Sequence, residues 1–292
     1  MRNILFKQMQ APGDNLVLTS ALRDLQLSYP NKFNIGVLSY YPEIFYNNPY
    51  VIQKGEVFDE KTEVLTIDYS TEFSLKKVSG KHFSSAFITA INDVLNINIK
   101  QTSVFPELYL TKEEKDTILE KLGISKPFWV FNAGFKSDMP LKMYSTSKWQ
   151  EVINSLLEKG IKIYQVGHSH HIHPRIKGVE SLIGKTDNLR DYFAVMYHAS
   201  GSIGAVSLQM HVAAAFRKPC VVIAGGREGN AWNMYNGQTY LSSVGYLSCC
   251  EYSGCWKKTL KDCSRKINRE PECMKLITVN EIVNSVLKYS HL

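Results

Sequence analysis

The chain of 292 residues has no run of 18 or more apolar residues, which argues against a conventional membrane-spanning helix. Its first residues, Met1-Arg2-Asn3, lead into a short apolar stretch broken by Lys7, without the small-residue site that ends a secretory signal. A cytoplasmic location is therefore expected. No repeat of 20–50 residues is evident, so solenoids and propellers are not expected. The string Gly184-Lys185-Thr186 lacks the upstream glycine of a Walker A loop and is rejected as a nucleoside triphosphate site. Cysteine is nearly absent outside one segment: only Cys220 lies apart from Cys249, Cys250, Cys255, Cys263 and Cys273. Acidic residues, 27, are outnumbered by 34 basic ones. The net charge of +7 suits an anionic partner such as a nucleotide, a phosphorylated glycan or nucleic acid, and equally suits a plain solvated surface.

What is present is a regular alternation. Apolar strand patterns at 3–7, 33–38 and 64–67 are interleaved with helix patterns at 15–29 and 82–95. A stretch at 96–110 reads as extended, and 112–122 as a charged helix stopped by Gly123. A second cycle begins at Lys126-Pro127. Strand patterns at 128–131, 162–166, 179–183, 202–206 and 220–224 alternate with helices at 147–159, 188–198 and 210–216. Such alternation predicts parallel sheets and an α/β fold. The expected domains are 1–125 and 126–292, the second closing with a helix at 279–288. Residues 226–275, rich in Gly, Tyr, Cys and Lys, read as a loop-rich insertion, with a Cys-rich segment at 245–275.

Two junctions, one in each half, join a turn to a helix beside a strand, where ligands bind in open α/β sheets. In the first, Pro12-Gly13 makes a turn before Asp14 and Asn15. Asp14 reads as a helix N-cap or as a general base, and the two readings are compatible. Lys142, in a strand-to-helix loop, reads as a surface lysine or as a cation neutralising a diphosphate. In the second junction, Ser207-Leu208-Gln209-Met210-His211 opens a helix of small apolar residues whose N–H groups suit phosphate. His211 itself is either a satisfied core histidine or a ligand contact. Gly225-Gly226-Arg227-Glu228 follows a strand, and Glu228 is a candidate for ribose hydroxyls.

His168, His170, His171 and His173 invite a metal reading, but no carboxylate or cysteine accompanies them in sequence, so polar loop residues are the plainer expectation. The five clustered cysteines point to zinc or iron ahead of disulfides in a cytosolic chain, although their spacing fits no standard zinc motif. Lys257, Lys258, Lys261, Arg265, Lys266, Arg269 and Lys275 lie in the same region, with Tyr246, Tyr252 and Trp256 between and beside them. That mixture reads as a solvated loop or as a footprint for an anionic acceptor, DNA included.

Taken together, Gly13-Asp14 with the following Leu-Thr-Ser-Ala-Leu-Arg, the segment IGKTDNLRDYFAVMYHASGSIG and the stretch SLQMHVAAAFRKP from Ser207 resemble glycosyltransferase family 9, the ADP-heptose heptosyltransferase type. The resemblance implies a GT-B fold: two Rossmann-like, doubly wound domains facing a central cleft, acceptor-binding in the N-terminal half and nucleotide-sugar-binding in the C-terminal half. It implies inverting, metal-independent transfer with Asp14 as base, Gly13 and Asn15 beside the acceptor, and donor contacts from Lys142, Ser207, Leu208, Gln209, Met210, His211, Gly226, Arg227 and Glu228. The chain departs from the family at Val206 and Leu208, where an Asp and a Gly are usual. The resemblance thus implies a nucleotide-diphosphate sugar, ADP-linked by preference, carrying heptose or another sugar such as a pentose. The acceptor expected from the resemblance and the basic charge is an anionic one, a lipopolysaccharide core, a protein or a modified DNA base. The cysteines resemble the iron motif of autotransporter heptosyltransferases, which would make any metal structural or oligomer-forming rather than catalytic. The alternative is a non-catalytic nucleotide-sugar or nucleic-acid-binding protein on the same fold.

Overall fold

The computed structural model describes residues 1–52, 59–69, 80–135, 140–251, 254–255, 263, 265–267 and 270–289. They form two compact units, Met1–Lys112 and Glu113–Leu292.

In the first unit β1 (Arg2–Lys7), α1 (Pro12–Ser28), β2 (Phe33–Leu38), β3 (Glu63–Thr66) and α2 (Phe83–Leu95) follow in order. The strands are parallel and lie in the order β2-β1-β3. Ile4 and Phe6 of β1 alternate into the core, as a half-buried strand requires. α1 is buried along most of its length and starts earlier than expected, because Pro12 occupies its first turn, where a missing N–H costs nothing. The chain goes from β1 to β2 on one side and to β3 on the other, so the strand order reverses between β1 and β3. Their carboxyl ends are the natural ligand crevice of this sheet. The expected extended stretch is tied down by α1. Arg23, only 6 % exposed, donates to the carbonyls of Ser103 and Phe105 and to the Glu107 carboxylate, while Asp24 accepts from Thr102.

In the second unit α3 (Lys112–Leu122) is followed by β4 (Trp129–Asn132), α4 (Thr146–Glu158), β5 (Ile163–Gln165), β6 (Glu180–Ser181), α5 (Leu189–His198), β7 (Gly201–Ala205), α6 (Leu208–Ala215), β8 (Cys220–Gly225), α7 (Asn230–Asn233) and β9 (Thr239–Ser242). Then come β10 (Lys266–Ile267), β11 (Glu270–Pro271), α8 (Glu272–Lys275) and α9 (Val279–Leu287). The six-stranded parallel sheet runs β6-β5-β4-β7-β8-β9, the doubly wound order with its switch point between β4 and β7. Trp149, Val152, Ile153 and Leu156 of α4 and Ile282, Val283 and Val286 of α9 share one core with Phe131, Ile203 and Val221 of the sheet. α9 starts with a capping box between Thr278 and Glu281.

Two expectations change. The units divide between Lys112 and Glu113 rather than at 125/126, because α3 belongs to the second unit. Glu114 takes a two-pronged hydrogen bond from Arg190 at 2.6 Å on each arm, and Lys121 pairs with Asp191 at 2.8 Å. Part of the supposed insertion at 226–275 is sheet: β9 pairs in parallel with β8 as the edge strand.

Candidate active site

At the crevice of the first sheet, Asp14 sits in the first turn of α1 and is not its cap. Ala11 holds the cap position and no side chain caps the helix. The acid is still favoured there by the helix dipole. The hydroxyl of Tyr69, three residues beyond β3, donates to Asp14 Oδ1 at 2.9 Å. Gln10 Nε2 reaches Asp68 Oδ1 at 3.5 Å across the same ends. Gly13 is half-buried beside Asp14. Asn15, expected near an acceptor, is fully buried. Its amide nitrogen donates to the carbonyls of Gln10 and Ala11, and its oxygen accepts from Ser39. The residue clasps the turn before α1 to the loop after β2.

At the switch point of the second sheet, Lys142 ends a short 3-10 turn, Pro140–Lys142, between β4 and α4. Its Nζ donates to the carbonyl of Val206 at 3.2 Å and pairs with Glu228 Oε1 at 2.8 Å. Val206 immediately precedes Ser207, the N-cap residue of α6, whose side chain makes no capping bond. A cation therefore stands next to an open helix N-terminus, and both favour anions. Ser207 and Leu208 are half-exposed, whereas Gln209, Met210 and His211 are buried. Gln209 packs against Gly204, and neither end of its amide has a hydrogen-bond partner among the described residues. His211 Nδ1 lies 2.8 Å from the hydroxyl of buried Tyr235, the pairing expected of a satisfied core histidine.

The loop after β8 is more enclosed than its sequence suggested. Arg227 and Glu228 are 4 % and 5 % exposed. Glu228 accepts from Asn233 as well as pairing with Lys142, so its carboxylate is engaged by the protein. Gly226 is required by close approach. A Cβ there would lie 2.6 Å from Cys250 Sγ and 3.0 Å from Cys273 Cβ. The Cys-rich segment thus packs directly on this loop, and Cys255 N–H donates to the Gly226 carbonyl at 3.2 Å. Burial pushes the Cys273 thiol up to about 11, and burial also raises Cys249.

No group of three His, Cys, Asp or Glu suited to a metal ion occurs among the described residues, which include Cys249, Cys250, Cys255, Cys263 and Cys273 and the four loop histidines. Neighbouring thiols add to the upward shifts, Cys255, Cys250 and Cys263 at Cys273 and Cys250 and Cys263 at Cys249, so the segment brings its cysteines near one another. His173 instead fills space left by Gly167, where a Cβ would fall 2.0 Å from its Cε1, and its Nε2 lies 2.9 Å from the His168 carbonyl. Tyr252, Trp256, Lys257, Lys258, Lys261 and Arg269 lie outside the described residues. Of the basic footprint, Arg265 is paired with Glu272 at 2.7 Å.

Among the described residues no helix is long and apolar enough to cross a membrane. The model of glycosyltransferase family 9 (heptosyltransferase) matches residues 59–253. No curated protein shows detectable similarity. Among solved structures, the chain is similar to the ADP-heptose LPS heptosyltransferase II of E. coli, with TM-score 0.68, 14 % identity and 98 % of each chain covered. It is similar to a family 9 glycosyl transferase from Veillonella parvula, with TM-score 0.71, 14 % identity, and 99 % of this chain and 97 % of that one covered. It is also similar to TibC, an iron-containing dodecameric glycosyltransferase of enterotoxigenic E. coli, with TM-score 0.69, 18 % identity, and 99 % and 76 % covered. With two parallel doubly wound sheets of GT-B type and a family match spanning most of its length, this chain belongs to glycosyltransferase family 9.

Proposed function

We propose that the protein is an inverting glycosyltransferase that moves a sugar from an ADP-linked donor to a hydroxyl of an anionic acceptor. The observation that carries the reading is Lys142 bonded to Val206 at the head of α6, on the switch point of the six-stranded sheet. A diphosphate leaving group there meets one ammonium and the N–H groups of Ser207, Leu208 and Gln209, which stabilise charge as it develops, while the Met210 N–H donates to the Ser207 carbonyl at 3.2 Å. Glu228 acts by holding Lys142, and the loop at Gly226 and Arg227 borders the nucleoside. Support for the base comes from Asp14, a carboxylate in the first turn of α1 at the crevice of the first sheet. Asp14 removes the proton of the acceptor hydroxyl as its oxygen attacks the anomeric carbon. The bond from that carbon to the diphosphate breaks on the opposite face, which inverts the configuration.

The donor sugar is heptose or another sugar such as a pentose, since Val206 and Leu208 stand where the family usually carries Asp and Gly. Lipopolysaccharide core, protein and modified DNA are the acceptor classes to distinguish, and a cytoplasmic location accords with all three. The test is a thermal-shift screen of ADP-, UDP- and GDP-sugars, then mass spectrometry of acceptors incubated with the stabilising donor. Asp14→Asn is expected to lower transfer about 100-fold or more while leaving donor binding intact. Unchanged transfer by that variant overturns the base assignment.

A further inference from the structure

We infer that Tyr69 is a positioning residue for Asp14, fixing the orientation of its carboxylate and stabilising its ionised form. The inference rests on the reading of Asp14 as the base and adds a second residue to that site. Asp14 follows β1 and Tyr69 follows β3, so the hydrogen bond between them spans the ends of the two strands where the order of the first sheet reverses. Two elements far apart in sequence meet there because the sheet brings their carboxyl ends side by side.

Tyr69 is built to stay in place. It is 5 % exposed, and its ring is gripped by two aromatic rings of α2, Phe83 at 4.5 Å between centroids and edge-on, and Phe87 at 4.8 Å. With the ring locked, the phenol O–H points where packing directs it, and a buried phenol needs a hydrogen-bond partner. Asp14 Oδ1 accepts from it at 2.9 Å. A neutral donor to one carboxylate oxygen favours the charged form, the form a general base must hold at the start of the reaction. It also helps to hold the carboxylate in one orientation, and pre-orientation of this kind is worth rate. Ionisable neighbours at these strand and helix ends, among the described residues, include Lys7 at the end of β1, Asp68 beside Tyr69 and His82 at the start of α2. Tyr69→Phe leaves all three unchanged and keeps the aromatic packing.

The test needs no substrate. The full chain, labelled with carbon-13 at the aspartate carboxyls, is titrated by NMR as the parent, as Tyr69→Phe and as Asp14→Asn, the last identifying the Asp14 resonance by its disappearance. The Asp14 midpoint is expected to lie about one pH unit higher in Tyr69→Phe than in the parent, with the other aspartates unmoved. A midpoint within about 0.2 unit of the parent, in a variant whose spectrum shows it folded, overturns the inference. The base reading fails by a different result, namely sugar transfer by Asp14→Asn at the parent rate. The two failures are therefore separable.

Discussion

The ammonium of Lys142 stands 2.8 Å from the carboxylate of Glu228, joining the loop after β4 to the loop after β8 in front of the switch point between β4 and β7. The lysine is 28 % exposed at its side chain and the glutamate 5 %. The acid is therefore the partner that suffers most when the pair is broken, because it cannot turn to water.

Lys142→Met is expected to destabilise the protein by about 2–3 kcal/mol, below the range for fully buried pairs because one partner reaches solvent. Glu228→Gln keeps the bond to Asn233 as an amide contact and is expected to cost about 1 kcal/mol. The double variant should cost less than the sum, with a coupling of about 1 kcal/mol. Urea unfolding at pH 7 of the four proteins measures this. Additive losses would mean that the two charges do not support each other. In donor binding, Lys142→Met should weaken ADP more than Glu228→Gln, since only the lysine is assigned a place against phosphate.

Gly226→Ala brings a methyl group to 2.6 Å from Cys250 Sγ and to 2.9 and 3.0 Å from the Cβ atoms of Cys250 and Cys273. Two of these atoms are fixed to backbone and cannot swing aside. The expected cost is about 1–3 kcal/mol, seen as a lower melting temperature. Adding Cys250→Ala removes the sulfur contact but not the Cβ contact, so it should restore part of the loss. No recovery at all would show that the cysteine segment does not press on this loop through Cys250.

The sheets and their order of elements were legible because period-2 and period-3.6 patterns survive wherever one face is buried. Strand β8, Cys220–Gly225, is buried throughout and reads at once as a central parallel strand. β9 did not, since Thr239-Tyr240-Leu241-Ser242 is an edge with half-exposed positions and no apolar run. Helix α3 was legible as a helix, but its owner was not. Gly123 marks where it stops and carries nothing about Arg190 and Asp191, the residues that draw it to the second unit. Asp14 and Lys142 could be picked out by their places at strand-to-helix turns. Tyr69 could not, because an aromatic after a strand has no signature until β3 is laid beside β1. Glu228 was legible as a polar residue after a strand, and its pairing with a lysine distant in sequence was not.

His198, the last residue of α5, offers a pH test of the docking of α3. Its Nε2–H donates to the Lys115 carbonyl at 2.6 Å, so the neutral ring already satisfies this bond. Burial lowers the imidazole pKa, the Lys115 carbonyl opposes that shift, and the charges of Lys126 and Lys218 lower it further. A histidine whose pKa is lower folded than unfolded binds its proton more readily in the unfolded chain. Its contribution to stability is therefore complete above the unfolded value of about 6.5 and is lost as pH falls through the folded value. The parent protein should lose stability between pH 7 and pH 5 in urea unfolding, and His198→Gln should lose less over that interval. The glutamine amide can still donate to Lys115 but takes up no proton. An identical loss in both proteins would place the acid sensitivity elsewhere and remove His198 from the docking of α3.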